Sequence, residues 1–502
     1  MRLSGIAAAF VFILTAVLGA DSAASQYVTV VGGAAGTEFG DDVIETSDGG
    51  IIVAGYTSSY GAGNTDWLIS KFSQTGGHQW TKTVGLGSGS VDWLGAAINT
   101  SDGGYAVAGV LGNAFAIYKF DALDVIQWCR SVDVLSRISD MIQTSDGGYL
   151  TVGEKDYAVG DRDILISKFS PAGIHTWSRA FGGDSIEQVS AVVQDEDDNY
   201  IVVGTTESWA YGWEDAYMAK FNSSGTLQWM KVIGGTQHDY GYSVVATSDG
   251  GYVMVGSTDS YGTSGDNIML IKLNAAGGQV FARTIGTTNY DYGRRVIKTS
   301  DGGYAITGQT GYPGDNYGDA ILLKFDDLWN PEWYWSFGSN VGSEYGWDVI
   351  QTADKGYAVV GFTTSYESPS ISLMLARFDS LGTTCLGGNI SMPINMAYFT
   401  QQFVEPDVIT VSPSWSTDCL PIVTQTPVII PICGVFVCGD ANNDGVVNIL
   451  DIAFLINYLY KGGPAPAYPV AADVNNDDVI NILDITYLIS YLYKDGPDPI
   501  CG

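Results

Sequence analysis

Thr247–Thr258 reads TSDGGYVMVGST. Its Asp-Gly-Gly triplet stands between two runs of strand-forming residues. Glycine there allows the positive φ that a tight hairpin requires, so the triplet is a turn and YVMVGST is the strand leaving it. The same turn recurs at Asp48-Gly49-Gly50, Asp102-Gly103-Gly104, Asp146-Gly147-Gly148 and Asp301-Gly302-Gly303. Worn copies stand at Asp197-Asp198-Asn199 and Asp354-Lys355-Gly356. These seven copies lie 44 to 54 residues apart.

Each repeat has the same parts. A short strand such as DVIET enters the turn and an apolar strand such as IIVAGYT leaves it. After a variable loop comes a third strand, as in DWLISKF or DAILLKF, and a second glycine turn opens a fourth. The fourth strand starts on an aromatic: Trp80, Trp128, Trp177, Trp229, Phe281 or Trp333. Four strands per ~50 residues, seven times over, predict an all-β seven-bladed propeller. The last repeat lacks its fourth strand after Gly382, whereas YVTVVGG at Tyr27–Gly33 matches one. The N-terminal strand is therefore expected to complete the last blade, which removes free sheet edges. An extended solenoid is the alternative, and the strand shared between the two ends argues against it. From Gln26 to about Gly382 the chain resembles the bacterial seven-bladed β-propeller repeat families, a resemblance that implies fold and little of function.

The 502 residues carry a formal charge of −33, with only 22 Lys plus Arg, which excludes a nucleic-acid partner and a polybasic membrane patch. Residues 1–25 combine Arg2, a short apolar run and small residues, the pattern of a secretory signal peptide, so an extracellular location is expected. No later segment is apolar for long enough to span a bilayer. Export permits disulfides. Cys129, alone among the repeats, reads as a buried thiol, while the other five cysteines crowd the C-terminal quarter.

Within the repeats no nucleophile elbow, metalloprotease helix or phosphate loop occurs in context, and no catalytic residue is assigned. His78, His175 and His238 read as turn or loop residues. Asp239, Asp291, Glu344 and Glu38 open repeats, and Asp66, Asp163, Asp215 and Asp319 begin third strands. Residues placed so regularly are expected to cap turns or tie blades together. Differences between repeats concentrate in the loops between second and third strands. Trp209, Tyr211, Trp213, Tyr312 and Tyr317 there form a possible ligand rim, since aromatic faces beside carboxylates suit a sugar ring. Simple packing of these loops is the competing explanation. A carboxylate pair for glycoside hydrolysis needs a defined separation, which sequence does not measure.

The propeller is expected to span residues 26–384, followed by a Pro/Thr-rich extended connector at 385–437, partly packed on the propeller. Cys385 with Cys419 or with Cys433 is a plausible clamp there. Residues 438–502 then hold two acidic loops, GDANNDGVVNILD from Gly439 and ADVNNDDVINILD from Ala472. Calcium takes oxygen ligands at loop positions 1, 3, 5, 7, 9 and 12. The first loop offers Asp440, Asn442, Asp444, the Val446 carbonyl, Asn448 and Asp451; the second offers Asp473, Asn475, Asp477, the Val479 carbonyl, Asn481 and Asp484. Asp478 replaces Gly445 at the sharp turn, so the second loop should be weaker or more strained. Helices follow, with apolar stripes Ile449-Ile452-Leu455-Ile456-Leu459 and Ile482-Ile485-Leu488-Ile489-Leu492 expected to pack together about a pseudo-two-fold axis.

Gly439 to Pro499 is similar to the type I dockerin family. The resemblance implies two bound calcium ions, calcium-dependent folding, and docking onto a cohesin-type module of a scaffold or cell-surface protein. It places partner contacts at Ile449, Leu450, Ile482 and Leu483 and near the helix ends at Lys461 and Lys494. Many dockerins have Ser or Thr at the first four positions, so these apolar pairs put the usual cohesin partner in doubt or belong to the core. The two-fold arrangement brings the module's ends together, so Cys438 and Cys501 are expected to form a disulfide, worth roughly 2–4 kcal/mol.

Two functions follow. The first is a secreted, dockerin-borne propeller acting as a non-catalytic binding or adhesion module, with a polysaccharide as possible ligand. The second is a polysaccharide-degrading enzyme, a hydrolase acting on O-glycosyl bonds or a lyase, with its site on the propeller rim. A purely structural surface protein is a third.

Overall fold

The computed structural model describes residues 27–32, 36–60, 64–86, 89–133, 136–158, 160–262, 265–311, 318–338, 342–365 and 371–382. It further describes the backbone of seven short strands between 387 and 433, and residues 441–442, 447–463, 466, 472–475 and 479–494.

Seven antiparallel blades form a propeller. Their innermost strands are Glu38–Glu45, Trp93–Asn99, Ser136–Gln143, Glu187–Gln194, Asp239–Ala246, Asp291–Lys298 and Glu344–Gln351, numbered blades 1 to 7. The expected closure is present: Tyr27–Gly32 pairs with Ser372–Phe378, Val28 facing Ala376 and Val30 facing Met374. Val28, Val30 and Val31 are fully buried by it. Between blades the sheets pack through apolar faces, for example Val202 and Tyr217 against Ile164 and Ile166.

The Asp-Gly-Gly turn is fastened by a lysine that the repeat carries one residue before the end of its third strand. Lys119 Nζ lies 2.9 Å from Asp102, Lys168 2.9 Å from Asp146 and Lys71 3.1 Å from Asp48, and Arg377 replaces lysine against Asp354. Each aspartate also accepts a threonine hydroxyl and a glycine N–H, as Asp102 does from Thr100 and Gly104. The worn turns keep the left-handed conformation without glycine: φ is 62° at Asp198 and 67° at Lys355.

The connector does more than lie partly against the propeller. Its backbone forms seven strands of two to six residues, each added to the outer edge of a different blade. Gly387–Asn389 joins blade 6, Ile394–Met396 blade 5, Thr400–Phe403 blade 4 and Asp407–Val411 blade 3. Trp415–Ser416, Ile422–Gln425 and Val428–Cys433 join blades 2, 1 and 7. The chain thus retraces the whole ring in reverse order and covers the outer edges that a four-stranded blade leaves open. This corrects one expectation. Cys129 is buried but disulfide-bonded, not a thiol. It sits on the outer strand Ile126–Asp133, along which the connector runs with Trp415 opposite Val132.

Two helices, α1 (Ile449–Lys461) and α2 (Ile482–Tyr493), pack through Ile452, Leu455, Ile485 and Leu488. Ile449 and Ile482, expected in the apolar stripes, are instead 58% and 49% exposed. Each is the first residue of its helix, on the turn that carries the loop, so the packed stripe begins one turn later. Residues 1–26, Cys385, Cys419, Cys438 and Cys501 lie outside the described residues, and with them the signal peptide and the expected disulfides. No helix among the described residues is long and apolar enough to cross a membrane.

Candidate functional sites

In the C-terminal module each helix opens on an asparagine cap. The Asn448 and Asn481 side chains accept the N–H of Leu450 and Leu483, each at 2.7 Å. Asp451 and Asp484, at loop position 12, answer by accepting the Asn448 and Asn481 N–H, both at 2.8 Å. Their second oxygens reach back into the loop, to the Asn442 N–H at 3.1 Å and the Val474 N–H at 3.0 Å. Both carboxylates are fully buried, and Asp473 is nearly so. Burial, with the Asp473 charge beside it, raises the Asp484 pKa. The described candidate ligands are all oxygens, on Asp451, Asp473, Asp484, Asn448 and Asn481. That set fits a hard divalent cation such as calcium. Asn475 and Val479 stand on the second loop; Asp440, Asp444, Val446 and Asp477 lie outside the described residues.

Beside these loops the apolar pairs are exposed: Ile449 58%, Leu450 56%, Ile482 49% and Leu483 53%. They are not core. Lys461 and Lys494 are exposed as well.

On the propeller the regularly placed acids are structural. Glu187 accepts the Thr206 hydroxyl at 2.9 Å and the Gly183 N–H at 2.8 Å; Asp239 accepts the Ser260 hydroxyl at 2.7 Å and the Gly235 N–H at 2.8 Å. They tie the entry of each blade to the loop before it. His78 and His175 bond Thr81 and Ser178 within their own strands, at 2.9 and 2.7 Å.

The sequence reading missed a pocket of about 440 Å³ on the propeller axis. In every blade the innermost strand carries a β-bulge at the same place, between Gly40 and Asp42 in blade 1 and between Gly346 and Asp348 in blade 7. A bulge re-aims the side chain it carries. The seven residues so placed are Asp41, Gly95, Ser139, Ser190, Tyr242, Arg294 and Trp347, and all line the pocket. They differ from blade to blade. Blades 2 to 4 contribute glycine and serine, which leaves space; blades 5 to 7 contribute a tyrosine, an arginine and a tryptophan, which form a wall.

That wall is stacked. Arg294 lies 4.3 Å from the Tyr242 ring and 4.4 Å from the Trp347 ring. The stack extends from Tyr242 through Tyr240 and His238 to Trp213, with ring separations of 5.9, 6.0 and 6.0 Å. In the other direction a chain of ring contacts, tilted, edge-on and then stacked, passes from Trp347 through Phe362 and Phe39 to Tyr56, at 6.5, 4.9 and 4.7 Å. Trp93 follows at 6.1 Å from Tyr56, and Arg137 covers it at 5.4 Å. Of the expected rim, Trp213 is therefore joined to the axial site, Tyr211 is exposed, and Trp209 packs half-buried against the blade core. Tyr312 and Tyr317 lie outside the described residues.

Below the wall sits a charged floor. Asp42, Asp140 and Asp348 each accept a backbone N–H of the next blade, from Ala97 at 2.7 Å, Val192 at 2.8 Å and Val43 at 3.0 Å. Arg295 is their common counter-ion, 3.0 Å from Asp348 and 4.0 Å from Asp140. Burial, followed by the nearby Asp348 charge, raises the pKa of Asp42, and burial also raises that of Asp140. Burial alone pushes Asp41 up to about 7. Perturbed carboxyls in a cleft with aromatic walls make this pocket the propeller's candidate site. The signal in sequence is the residue three places after the blade-opening position, an acid in six blades and Ser136 in blade 3, which varies where its neighbours repeat.

Fold and sites together define a seven-bladed β-propeller joined to a paired loop–helix module. That module, at residues 438–493, is a dockerin type I domain. Such domains bind calcium, and their presence implies docking to a cohesin. No curated protein matches the chain significantly. Solved structures similar to it include the polysaccharide lyase Uly1, 10% identical, with 68% of this chain and 90% of that one covered and a TM-score of 0.42. A protein from Lactobacillus plantarum is 10% identical over 76% and 100% of the two chains, with a TM-score of 0.39. The α-L-arabinanase of Penicillium chrysogenum complexed with arabinobiose is 10% identical over 72% and 99%, with a TM-score of 0.38.

Proposed function

We propose that the chain is a secreted module, anchored by its dockerin to a cohesin-type partner on a scaffold or cell surface, with the propeller as a non-catalytic binding head. Two calcium ions hold the dockerin loops. The observation that carries the docking reading is the exposure of matched apolar pairs, Ile449-Leu450 and Ile482-Leu483, each directly before the buried position-12 carboxylate of its loop. Uncovered apolar side chains in matched places are what a docking face supplies. Either pair presents the same chemistry, so docking in two orientations follows. The Cys438–Cys501 disulfide closes the module. The propeller's ligand site is the axial pocket, with Trp213 and Tyr211 at its rim.

A second reading, a polysaccharide-degrading enzyme working in the same pocket, draws on one observation: Asp41, poised near neutrality, suits proton transfer. The test is capture of the full chain on immobilised type I cohesins with calcium and with chelator, followed by polysaccharide turnover on the captured protein. Calcium-dependent capture without turnover supports the binding head. Turnover lost in Asp41→Asn transfers the pocket to the enzyme reading. Capture that ignores calcium, or fails on every cohesin, refutes the docking.

A further inference from the structure

We infer that the axial pocket takes an anionic saccharide, its acidic group held by Arg294 and its chain leaving over Trp93 past Arg137. This rests on the propeller being a ligand-binding head and names the ligand class.

The chain carries 55 Asp plus Glu against 22 Lys plus Arg, so an unpaired cation is unexpected. Six of the eight described arginines donate to a carbonyl or carboxylate: Arg130, Arg162, Arg179, Arg283, Arg295 and Arg377. Arg137 and Arg294 make no ion pair or hydrogen bond among the described residues. The nearest acid to Arg137 in effect, Glu154, is already paired to Arg162 at 3.2 Å. The Arg294 Nε is buried with no hydrogen-bond partner, and so is the Trp347 Nε1 beside it. The Arg294 Nη groups are not buried, make no hydrogen bond among the described residues and line the pocket, where a ligand can accept from them.

Arg294 is held by ring faces on Tyr242 and Trp347, which fix the guanidinium plane while using none of its N–H groups. A guanidinium oriented in this way presents its edge to a planar or tetrahedral oxyanion, bidentately. The surrounding tryptophans and tyrosines offer flat apolar faces to a sugar ring, and Ser139 and Ser190 offer hydroxyls on the open side.

A second cavity of about 210 Å³ adjoins the axial one and shares Trp93, Val110 and Arg137 with it. The two form one path from the axis to the edge of blades 2 and 3, on the side where the bulge residues are small. An oligomer fits this path better than a single sugar, and a second acidic unit on the same chain would meet Arg137.

Calorimetry on the full chain tests this with three probes: an oligogalacturonate, a sulfated carrageenan oligosaccharide and neutral cellopentaose. The first two distinguish carboxylate from sulfate as the anionic group. Binding of at least one of them, with cellopentaose at least tenfold weaker, is expected. Arg294→Gln and Arg137→Gln should each weaken it about tenfold, whereas Arg130→Gln, on the outer edge, leaves it unchanged. Melting curves of the variants establish that they fold. Silence of both anionic probes, equal binding of the neutral one, or full binding by a folded Arg294→Gln overturns the inference. Cohesin capture of the same preparation distinguishes this failure from failure of the docking reading.

Discussion

Arg295→Met removes the one cation from a floor that holds Asp42, Asp140 and Asp348. Taking away one partner of a buried ion pair costs about 3–5 kcal/mol, because the remaining charge stays desolvated. Two features of this site reduce that. The Arg295 side chain is 32% exposed to the channel, and each aspartate keeps its hydrogen bond from the adjoining blade. The expected loss is about 2–3 kcal/mol, or a fall in Tm of roughly 3–4 °C for a propeller of this size. Its pH dependence identifies the cause. Burial already holds Asp42 and Asp140 above the ordinary carboxylate range, and loss of Arg295 raises both further. The penalty is complete where they are ionised in the folded state. It shrinks as pH falls through their folded pKa values in the variant, and the share carried by Asp42 and Asp140 is gone once they are protonated in the folded parent as well, since the unfolded chain titrates alike in both and cancels. Thermal unfolding followed by near-ultraviolet circular dichroism at pH 8 and at pH 4.5 should show a large gap from the parent at the first and a small one at the second. Adding Asp348→Asn should recover part of the loss at pH 8. An equal fall at both pH values, or none at either, refutes the counter-ion argument.

Other consequences are simpler to state. In the parent protein, Asp41 at about 7 and Asp163 and Asp215 at about 6 bind protons more tightly folded than unfolded. Stability should therefore rise as pH falls from about 7.5 toward 5, and Asp41→Asn should flatten that slope in a series of Tm measurements. Below about 4 the sign reverses, because the turn aspartates Asp48, Asp102 and Asp146, held at about 2 by threonine and lysine, lose their bonds. Lys355→Gly should stabilise the propeller by about 1 kcal/mol in denaturant titrations, since Lys355 holds a positive φ that its counterparts fill with glycine. Ile449→Asp together with Ile482→Asp should abolish cohesin capture without lowering Tm, whereas either change alone leaves one docking orientation intact.

The propeller was legible because each repeat prints its own punctuation. The Asp-Gly-Gly turns, the aromatic opening the fourth strand and the orphan strand at Tyr27 fix blade number and closure by local chemistry alone. The dockerin loops were legible for the same reason, as oxygen ligands fall at fixed spacing. Three things were not. The connector strands are two to six residues long and pair with partners up to some 400 residues away, so no local period announces them. Cys129 looked solitary because its environment on the outer strand is made by that connector. The axial site is assembled from single residues in seven distant strands, and only the shared bulge brings them to one place. The repeated acids are ties between blade entry and loop, while the variable residues on the bulges line the axial pocket. Among the apolar dockerin positions, Ile449 and Ile482 satisfied a helical stripe by spacing yet lie on the first turn, outside the packed face.

Calcium binding by both dockerin loops is the central requirement. Calorimetric titration of calcium into the chelator-stripped full chain should give two sites, with Asp451→Ala and Asp484→Ala each removing one, and the doubly substituted chain should bind none and fail to be captured by a cohesin. Absence of calcium binding, or capture that persists when both carboxylates are gone, would contradict it.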